Sequence, residues 1–473
     1  MSTHKRPPDA FPHQQEGTRF LRERGSAALF DEQGLGKSKQ LIDAIAQEVV
    51  QGSLDGALII CPNTLKTTWG EEIERHSGLR YALFGAGRKA RRDAFRSLRS
   101  TFYVINYEAV AGELPSLRAL LRFKRIALVL DESHRIKTPG AKTTKAVLSL
   151  RHDAARKFIM TGTPVANKPE DLWSQLFFLD DGESLGATFD VFRKRYGPGT
   201  NGYSQIDEVR DRLSRISLRR EKEGTIALPP KTVVRTPVVL VGTQLSMYES
   251  LRAELELWVR TLSGEEVLAQ AENIFSRLVR LAQLASNPSL LDAGYNEVPA
   301  KWHVLDELLP AYLADPAEKV ILWTSFVPNI AALARRFASF GPVCVHGEIA
   351  GEARDRAIKV FKTSSQARLL IANPAAAREG LTLTEAHRAV YLDRSFNLVD
   401  YLQSQDRIHR LSQSRDCEIV LLIAQNTIDE FIDYSLSQKH RLARYAQGDT
   451  ANIADEDLAL TKPDVLRALL QPS

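Results

Sequence analysis

Apolar and polar positions along the chain fall into a repeating order: a short apolar run, a loop, then apolar residues at helical spacing. In the first half the apolar runs are 27–30, 56–61, 101–105, 126–130 and 157–160, each flanked by Gly, Pro or charge. Helical patterns lie between several of them, for example over 39–51 and 142–150. Strands alternating with helices predict parallel sheets covered by helices on both faces. A break follows, where Leu218-Arg219-Arg220 and Leu228-Pro229-Pro230-Lys231 bracket a polar stretch, and the paired prolines stop any helix there. Helical patterns then run over 244–284. A second strand-helix series begins at 319–323 and continues through 343–346, 368–372, 389–392 and 418–423. The expected class is therefore α/β in two tandem lobes. The expected bounds are a first lobe over 1–225, a linker and helical segment over 226–300, a second lobe over 301–450 and a peripheral tail over 451–473.

Composition narrows this picture. A chain of 473 residues, 44% hydrophobic, is long enough for two or three domains with real cores. The longest apolar runs are far too short to span a bilayer, and the polar N-terminus lacks the apolar stretch of a secretory signal. Cys61, Cys344 and Cys417 lie far apart and offer neither a disulfide framework nor a CxxC zinc pattern, as suits a reducing cytosol. The net charge of +5 leans towards a polyanionic partner. The basic run Arg88-Lys89-Ala90-Arg91-Arg92 could touch DNA or form a solvated helix face.

Two segments carry chemistry. The run 27–30 leads into Asp31-Glu32-Gln33-Gly34-Leu35-Gly36-Lys37-Ser38 and then a helical pattern. Strand, glycine loop, Gly-Lys-Ser and helix is a phosphate-binding arrangement. Gly34 and Gly36 let backbone N–H groups of the loop approach phosphate oxygens, and the helix N-terminus adds its dipole. Lys37 would reach the β- and γ-phosphates, and Ser38 would hold Mg²⁺. Asp31 stands where the generic GxxxxGK[ST] pattern has its first Gly, and the alternative is a Gly-rich turn with an exposed Lys. The second segment is the run 126–130, which ends in Asp131-Glu132-Ser133-His134. Asp131 could bind Mg²⁺ through its water shell, Glu132 could orient an attacking water, and His134 could link both to Thr161-Gly162-Thr163-Pro164. An ordinary surface turn is the alternative. The two segments together are much rarer than either alone.

With these residues in view the chain resembles the SNF2 (Swi2/Snf2) family of superfamily 2 helicase-like ATPases, from about residue 11 to 433. Phe11-Pro12-His13-Gln14-Gln15-Glu16-Gly17 is similar to the family's Q motif, which makes Gln14 the candidate adenine reader. Residues 31–38 are similar to its motif I, D-E-M-G-L-G-K-T, which also lacks the first Gly. Cys61-Pro62-Asn63-Thr64-Leu65 with Trp69 resembles motif Ia, and Asn106-Tyr107-Glu108 the segment written T-Y-E. Asp131-Glu132-Ser133-His134-Arg135-Ile136-Lys137 resembles D-E-A-H-R-I-K, and Thr161-Gly162-Thr163-Pro164 with Asn167 resembles motif III. The two arginine- and proline-bearing segments at 218–231 resemble the family's bridge between lobes. Trp323-Thr324-Ser325-Phe326 resembles motif IV, and Gly380-Leu381-Thr382-Leu383-Thr384 motif V. Residues 403–413, with Gln403, Arg407, His409, Arg410 and Gln413, resemble motif VI. The chain departs in having Ala377-Arg378-Glu379 where members usually have Gly-Gly before the motif V Gly. Thr382 stands where many have Asn, which is closer to the annealing-helicase branch.

The resemblance implies two RecA-like lobes with the ATP site in the cleft between them. It implies ATP and Mg²⁺ as cofactors, and Gly380 and Gln403 beside Gly34, Leu35 and Gly36 at the nucleotide. It implies double-stranded DNA as partner, with contacts at Thr64, Lys66, Thr163, Ser325 and Thr382, and other proteins that choose the target. Arg407 and Arg410, three apart, would share one face of a helix and neutralise charge on the γ-phosphoryl group. An exposed basic helix is the alternative for an isolated pair of this kind. The expected function is a DNA-dependent ATPase that moves on duplex DNA and remodels protein–DNA complexes or branched DNA. A strand-separating DNA or RNA helicase is the second reading, and a nucleotide-gated scaffold with a dead site the third. Compactness and the absence of an obvious nuclear signal suggest a bacterial or phage chain acting in the cytoplasm, at the nucleoid or in a phage host.

Overall fold

The computed structural model describes residues 9–85, 99–199, 203, 205–263, 266, 269–349, 351–376, 381–454 and 457. The basic run at 88–92 and the departures at 377–380, with Gly380, lie outside the described residues. The chain divides into two compact units. One holds the described residues of Met1–Ala227 together with those of Arg441–Leu458, the other those of Leu228–His440.

In the first unit, β1 (Ser26–Leu29), β2 (Gly56–Cys61), β3 (Tyr81–Leu83), β4 (Phe102–Asn106), β5 (Ile126–Asp131), β6 (Arg156–Met160) and β7 (Ser217–Leu218) form one sheet. Its order is β3-β4-β2-β5-β6-β1-β7. Every pairing is parallel. The central strands β2 and β5 are buried at every position, because helices cover both faces and the chain supplies continuous apolar runs there. A parallel sheet sends all its strands out at the same edge. The loops after β1, β6 and β5, three adjacent strands, therefore emerge side by side, and a ligand site is expected at that edge. Helices α1 (Pro12–Arg24) and α2 (Lys37–Val50) pack on one another, and α3 (Lys66–Ser77) packs on α2.

The second unit repeats the design. β8 (Lys231–Val238), β9 (Val320–Trp323), β10 (Pro342–Val345), β11 (Leu369–Ala372), β12 (Arg388–Tyr391) and β13 (Cys417–Ala424) form a parallel sheet ordered β10-β11-β9-β12-β13-β8.

Three features differ from the expectation. The helical stretch over 244–284 is not continuous: among the described residues it includes the helices Gly242–Arg260 and Ala271–Ser286, with turn residues after Arg260. Residues 231–238, read as linker, are a strand of the second sheet, paired with β13 from Lys231↔Cys417 to Val238↔Ala424. This edge strand is largely exposed and contains Pro237, so it lacks the apolar signature of its neighbours. The described residues of Arg441–Leu458, read partly as second lobe and partly as tail, group with the first unit. Among the described residues no helix is long and apolar enough to cross a membrane.

A candidate nucleotide site in the first unit

The loop after β1 is shaped by two glycines with positive φ, Gly34 at 91° and Gly36 at 76°. Gly36 is the N-cap of α2, and a Cβ there would lie 2.3 Å from Gln14 Nε2. A side chain at 36 would thus be strained in its backbone and would collide with Gln14. Gln14 and His13 of α1 lie over this loop. His13 Nε2 is 3.1 Å from the Leu35 carbonyl, Gln14 Oε1 accepts from Phe11 N at 3.1 Å, and Gln14 Nε2 donates to Leu35 O at 3.5 Å. The candidate adenine reader is therefore buried, with its amide turned onto its own helix start and the loop. Lys37 and Ser38 open α2. Lys37 Nζ donates to the carbonyls of Asp31 at 2.8 Å and Glu32 at 3.3 Å. Burial lowers the pKa of Lys37, against the opposing pull of Glu132, Asp31 and Asp131.

β5 delivers the two carboxylates. Asp131 Oδ2 accepts from Trp69 Nε1 at 2.8 Å, its Oδ1 from Glu132 N at 3.0 Å, and its carbonyl from Tyr107 Oη at 2.8 Å. Glu132 has φ 52° and ψ 53°, the left-handed region, which few non-Gly residues occupy. Thr161 Oγ1, just beyond β6, donates to Glu132 Oε2 at 3.0 Å, and His134 Nδ1 lies 3.1 Å from Thr161 Oγ1 and 3.3 Å from Glu132 Oε2. The expected link from His134 to the loop at 161–164 is present. Burial, then the charge of Glu132, pushes the Asp131 carboxyl up to about 7, although Trp69 and Lys37 oppose the rise. Burial acts on Glu132 in the same sense. There the hydrogen bond and charge of His134, then Lys37 and Thr161, outweigh it and hold the pKa down to about 2. Two adjacent carboxyls thus have opposite tendencies, one kept ionised and one ready to take a proton or a cation.

The role of Asp31 escaped the sequence. It is fully buried, and Arg220 grips its carboxylate through Nε at 3.0 Å and Nη2 at 2.5 Å, while Gln40 Nε2 donates to it at 3.1 Å. Arg219 Nη1 donates to Phe30 O at 2.6 Å and Gly162 O at 3.2 Å, and Lys222 N donates to Glu32 Oε2 at 2.8 Å. Leu218-Arg219-Arg220, expected as part of a bridge, runs from the edge strand β7 along the phosphate loop and holds it from behind.

The motif VI segment lies in the second unit, and its arrangement corrects an expectation. The helix Leu398–Gln405 ends before Arg407, and the chain continues in tight turns, with Arg407 N donating to Ser404 O and Ile408 N to Gln405 O. The two arginines therefore do not share a helix face. Arg407 is 1% exposed; its Nε donates to Gln403 O at 2.7 Å and its Nη1 to Leu381 O at 2.9 Å. Arg410 is half-buried and donates through Nη1 to Thr382 Oγ1 at 2.9 Å and through Nε to Asp406 O at 2.8 Å. Gln403 is fully buried, and both polar atoms of its amide lack a hydrogen-bond partner among the described residues.

The five candidate DNA contacts are in unlike settings. Thr64 is exposed, and Lys66 donates through Nζ to Phe84 O at 2.9 Å. Thr163 is buried, contrary to a surface role, because its loop is pinned from one side by Thr161 and from the other by Arg219. Ser325 donates its amide to the buried carboxylate of Asp393 at 2.5 Å, and Thr382 is engaged by Arg410.

Comparison with known proteins bears on the family of the chain. The model of the SNF2-related domain matches residues 13–290, and that of the helicase conserved C-terminal domain matches residues 300–412. A chromodomain-helicase-DNA-binding protein 1-like of Danio rerio is 27% identical over 95% of this chain and 46% of its own length. The DNA annealing helicase and endonuclease ZRANB3 of Mus musculus is 25% identical over 96% of this chain and 42% of its own. The chain spans about half the length of the curated relatives it matches. The SWI2/SNF2 ATPase core of Sulfolobus solfataricus, solved in complex with dsDNA, is 25% identical, with 98% of each chain covered and a TM-score of 0.45. With one family model covering more than half of its residues and a helicase C-terminal domain following, the chain belongs to the SNF2 family of helicase-like ATPases.

Proposed function

We propose that the chain is a DNA-stimulated ATPase that couples hydrolysis to movement on double-stranded DNA. The observation that supports this best is the group at the ends of β1, β5 and β6, where Lys37, Glu132, His134 and Thr161 lie around one point with Asp131 beside them. In this reading the loop amides and Lys37 hold the phosphates of ATP. Glu132, ionised at any physiological pH and fixed by Thr161 and His134, orients the attacking water. The hydroxyl of Ser38 and the carboxylate of Asp131 are oxygen donors of the kind Mg²⁺ takes together with phosphates and water, and a cation would offset the burial and the Glu132 charge that raise Asp131. Bound there, Mg²⁺ would neutralise phosphate charge.

Arg407 and Arg410 supply the positive charge for the transferring phosphoryl group. They belong to one unit and Lys37, Asp131 and Glu132 to the other, so in this reading hydrolysis would need groups from both and would follow a closure on ATP. The unpartnered amide of Gln403 supports a ligand near the same turn. If each unit holds the phosphate backbone, through Thr64 and Lys66 on one and Ser325 and Thr382 on the other, closure and opening move one hold past the other. Thr163, being buried, would act from behind the first of these. Partner proteins would choose the target. Backbone contacts of this type position the protein without reading sequence.

The test is the ATPase rate with matched duplex, single-stranded, forked and RNA ligands. Duplex DNA is expected to stimulate most, whereas stronger stimulation by single strands with measurable unwinding would favour a strand-separating helicase. Lys37→Ala and Glu132→Gln are expected to lower kcat by at least ~10²-fold with DNA binding retained. Unchanged turnover in either would sink the assignment.

A further inference from the structure

The carbonyls of Phe30 and Gly162 lie at the bases of the phosphate loop and of the Thr161 loop, and Arg219 Nη1 donates to both. The other side of this guanidinium is held by Asp449 in a paired contact, Nε to Oδ1 at 3.0 Å and Nη2 to Oδ2 at 2.9 Å. The Asp449 side chain is 2% exposed and that of Arg219 15%. Asp449 lies 230 positions along the chain from Arg219, in a segment that groups with the first unit. That segment has further ties to the same surface, through Arg444 to Glu221 at 3.1 Å and through Tyr445 to Asp207. A guanidinium that must satisfy two loop carbonyls with one nitrogen is free to swing unless its remaining N–H groups are fixed. A bidentate carboxylate fixes them in plane.

We propose that Asp449 is a positioning residue for ATP turnover: through Arg219 it sets the spacing of the phosphate loop and the Thr161 loop, so that the segment beginning at Arg441 controls the nucleotide site. This rests on the functional reading above. With the carboxylate gone, the Arg219 side chain loses its planar hold, and Thr161, which anchors Glu132, is no longer kept at its distance from Lys37. ATP still binds through the loop and Lys37, but the attacking water is misplaced.

The experiment compares the full chain with Asp449→Asn and Asp449→Glu in three measurements: steady-state ATPase with duplex DNA, thermal melting, and hydrogen exchange of backbone amides. Asp449→Asn is expected to lower kcat about 10-fold, with KM for ATP within about 3-fold of the parent. Exchange should accelerate at residues 30–36 and 161–163. Asp449→Glu, which keeps the charge and both oxygens, should bring kcat back towards the parent. The proposal is overturned if Asp449→Asn retains parental kcat and exchange. It is also overturned if kcat falls only with a general loss of melting temperature and faster exchange throughout the first unit. If the parent chain itself hydrolyses no ATP, the functional reading fails, and the exchange at 30–36 and 161–163 still decides whether Asp449 sets the loops.

Discussion

Asp131 and Glu132 are neighbours in sequence with opposite acid strengths, and the difference has a measurable consequence. Asp131 titrates near 7 because burial and the Glu132 charge disfavour its ionised form. Below that pH the ligand-free protein holds a proton there, and the Mg²⁺ and nucleotide proposed above would expel it on binding. Proton release attributable to Asp131 should approach one near about pH 6 and vanish near about pH 8.5. Calorimetric binding enthalpies in buffers of different ionisation heat, compared with Asp131→Asn, report it; equal release at both pH values would contradict the raised pKa. A second prediction separates the arginines. Arg407→Ala leaves the Gln403 and Leu381 carbonyls unsatisfied inside the second unit and should cost about 1–3 kcal/mol of stability as well as turnover. Arg410→Ala, which removes a half-buried side chain, should lose turnover with a smaller shift in melting. Asp131 and Glu132 were legible because they directly follow a strong strand signal, and Lys37 because it closes the glycine loop that follows another. Asp31 was legible only as an oddity, because its partner Arg220 lies 189 positions away and no local pattern joins them.

At the scale of elements, adjacency in the sheet does what spacing cannot. β2 and β5 pair from Gly56↔Ile126 to Ile60↔Leu130. The helix after β2 therefore reaches the end of β5, and Trp69 of α3 donates to Asp131. The same helix begins at Lys66, beside exposed Thr64. If the 63–66 segment holds DNA as proposed, a load on it would reach a site carboxylate through one hydrogen bond. Trp69→Phe keeps an aromatic ring, smaller than the indole, and removes the donor. It should reduce DNA stimulation of the ATPase about 10-fold, the value of one hydrogen bond to a charged group, while DNA affinity changes little. Full stimulation in this variant would rule out the link. The motif letters around Trp69 were readable, but its partner was not, because strand order is a tertiary property. Likewise β8 was hidden in an apparent linker. Its exposed positions and Pro237 carry little apolar signal, and its partner strand begins at Cys417.

At the scale of the whole molecule, the two-lobe architecture was plain because each sheet is built from continuous apolar runs separated by helices. The assignment of the C-terminal segment was not, since ion pairs such as Arg219–Asp449 leave no periodic trace. The net charge of +5 fits contacts to phosphates, and binding of that kind weakens steeply with salt. Duplex stimulation should therefore fall between roughly 50 and 200 mM salt while basal hydrolysis persists; a salt-independent ratio would argue against backbone contacts. The distance in sequence between Arg219 and Asp449 also orders events during synthesis. At about 5–20 residues per second the ribosome delivers Asp449 roughly 10–50 s after Arg219. Through that interval the nascent first unit has its phosphate loop but not the carboxylate that steadies it. On the proposal above, a chain still being made would turn over ATP more slowly than the finished one and would reach its full rate only once Asp449 is in place.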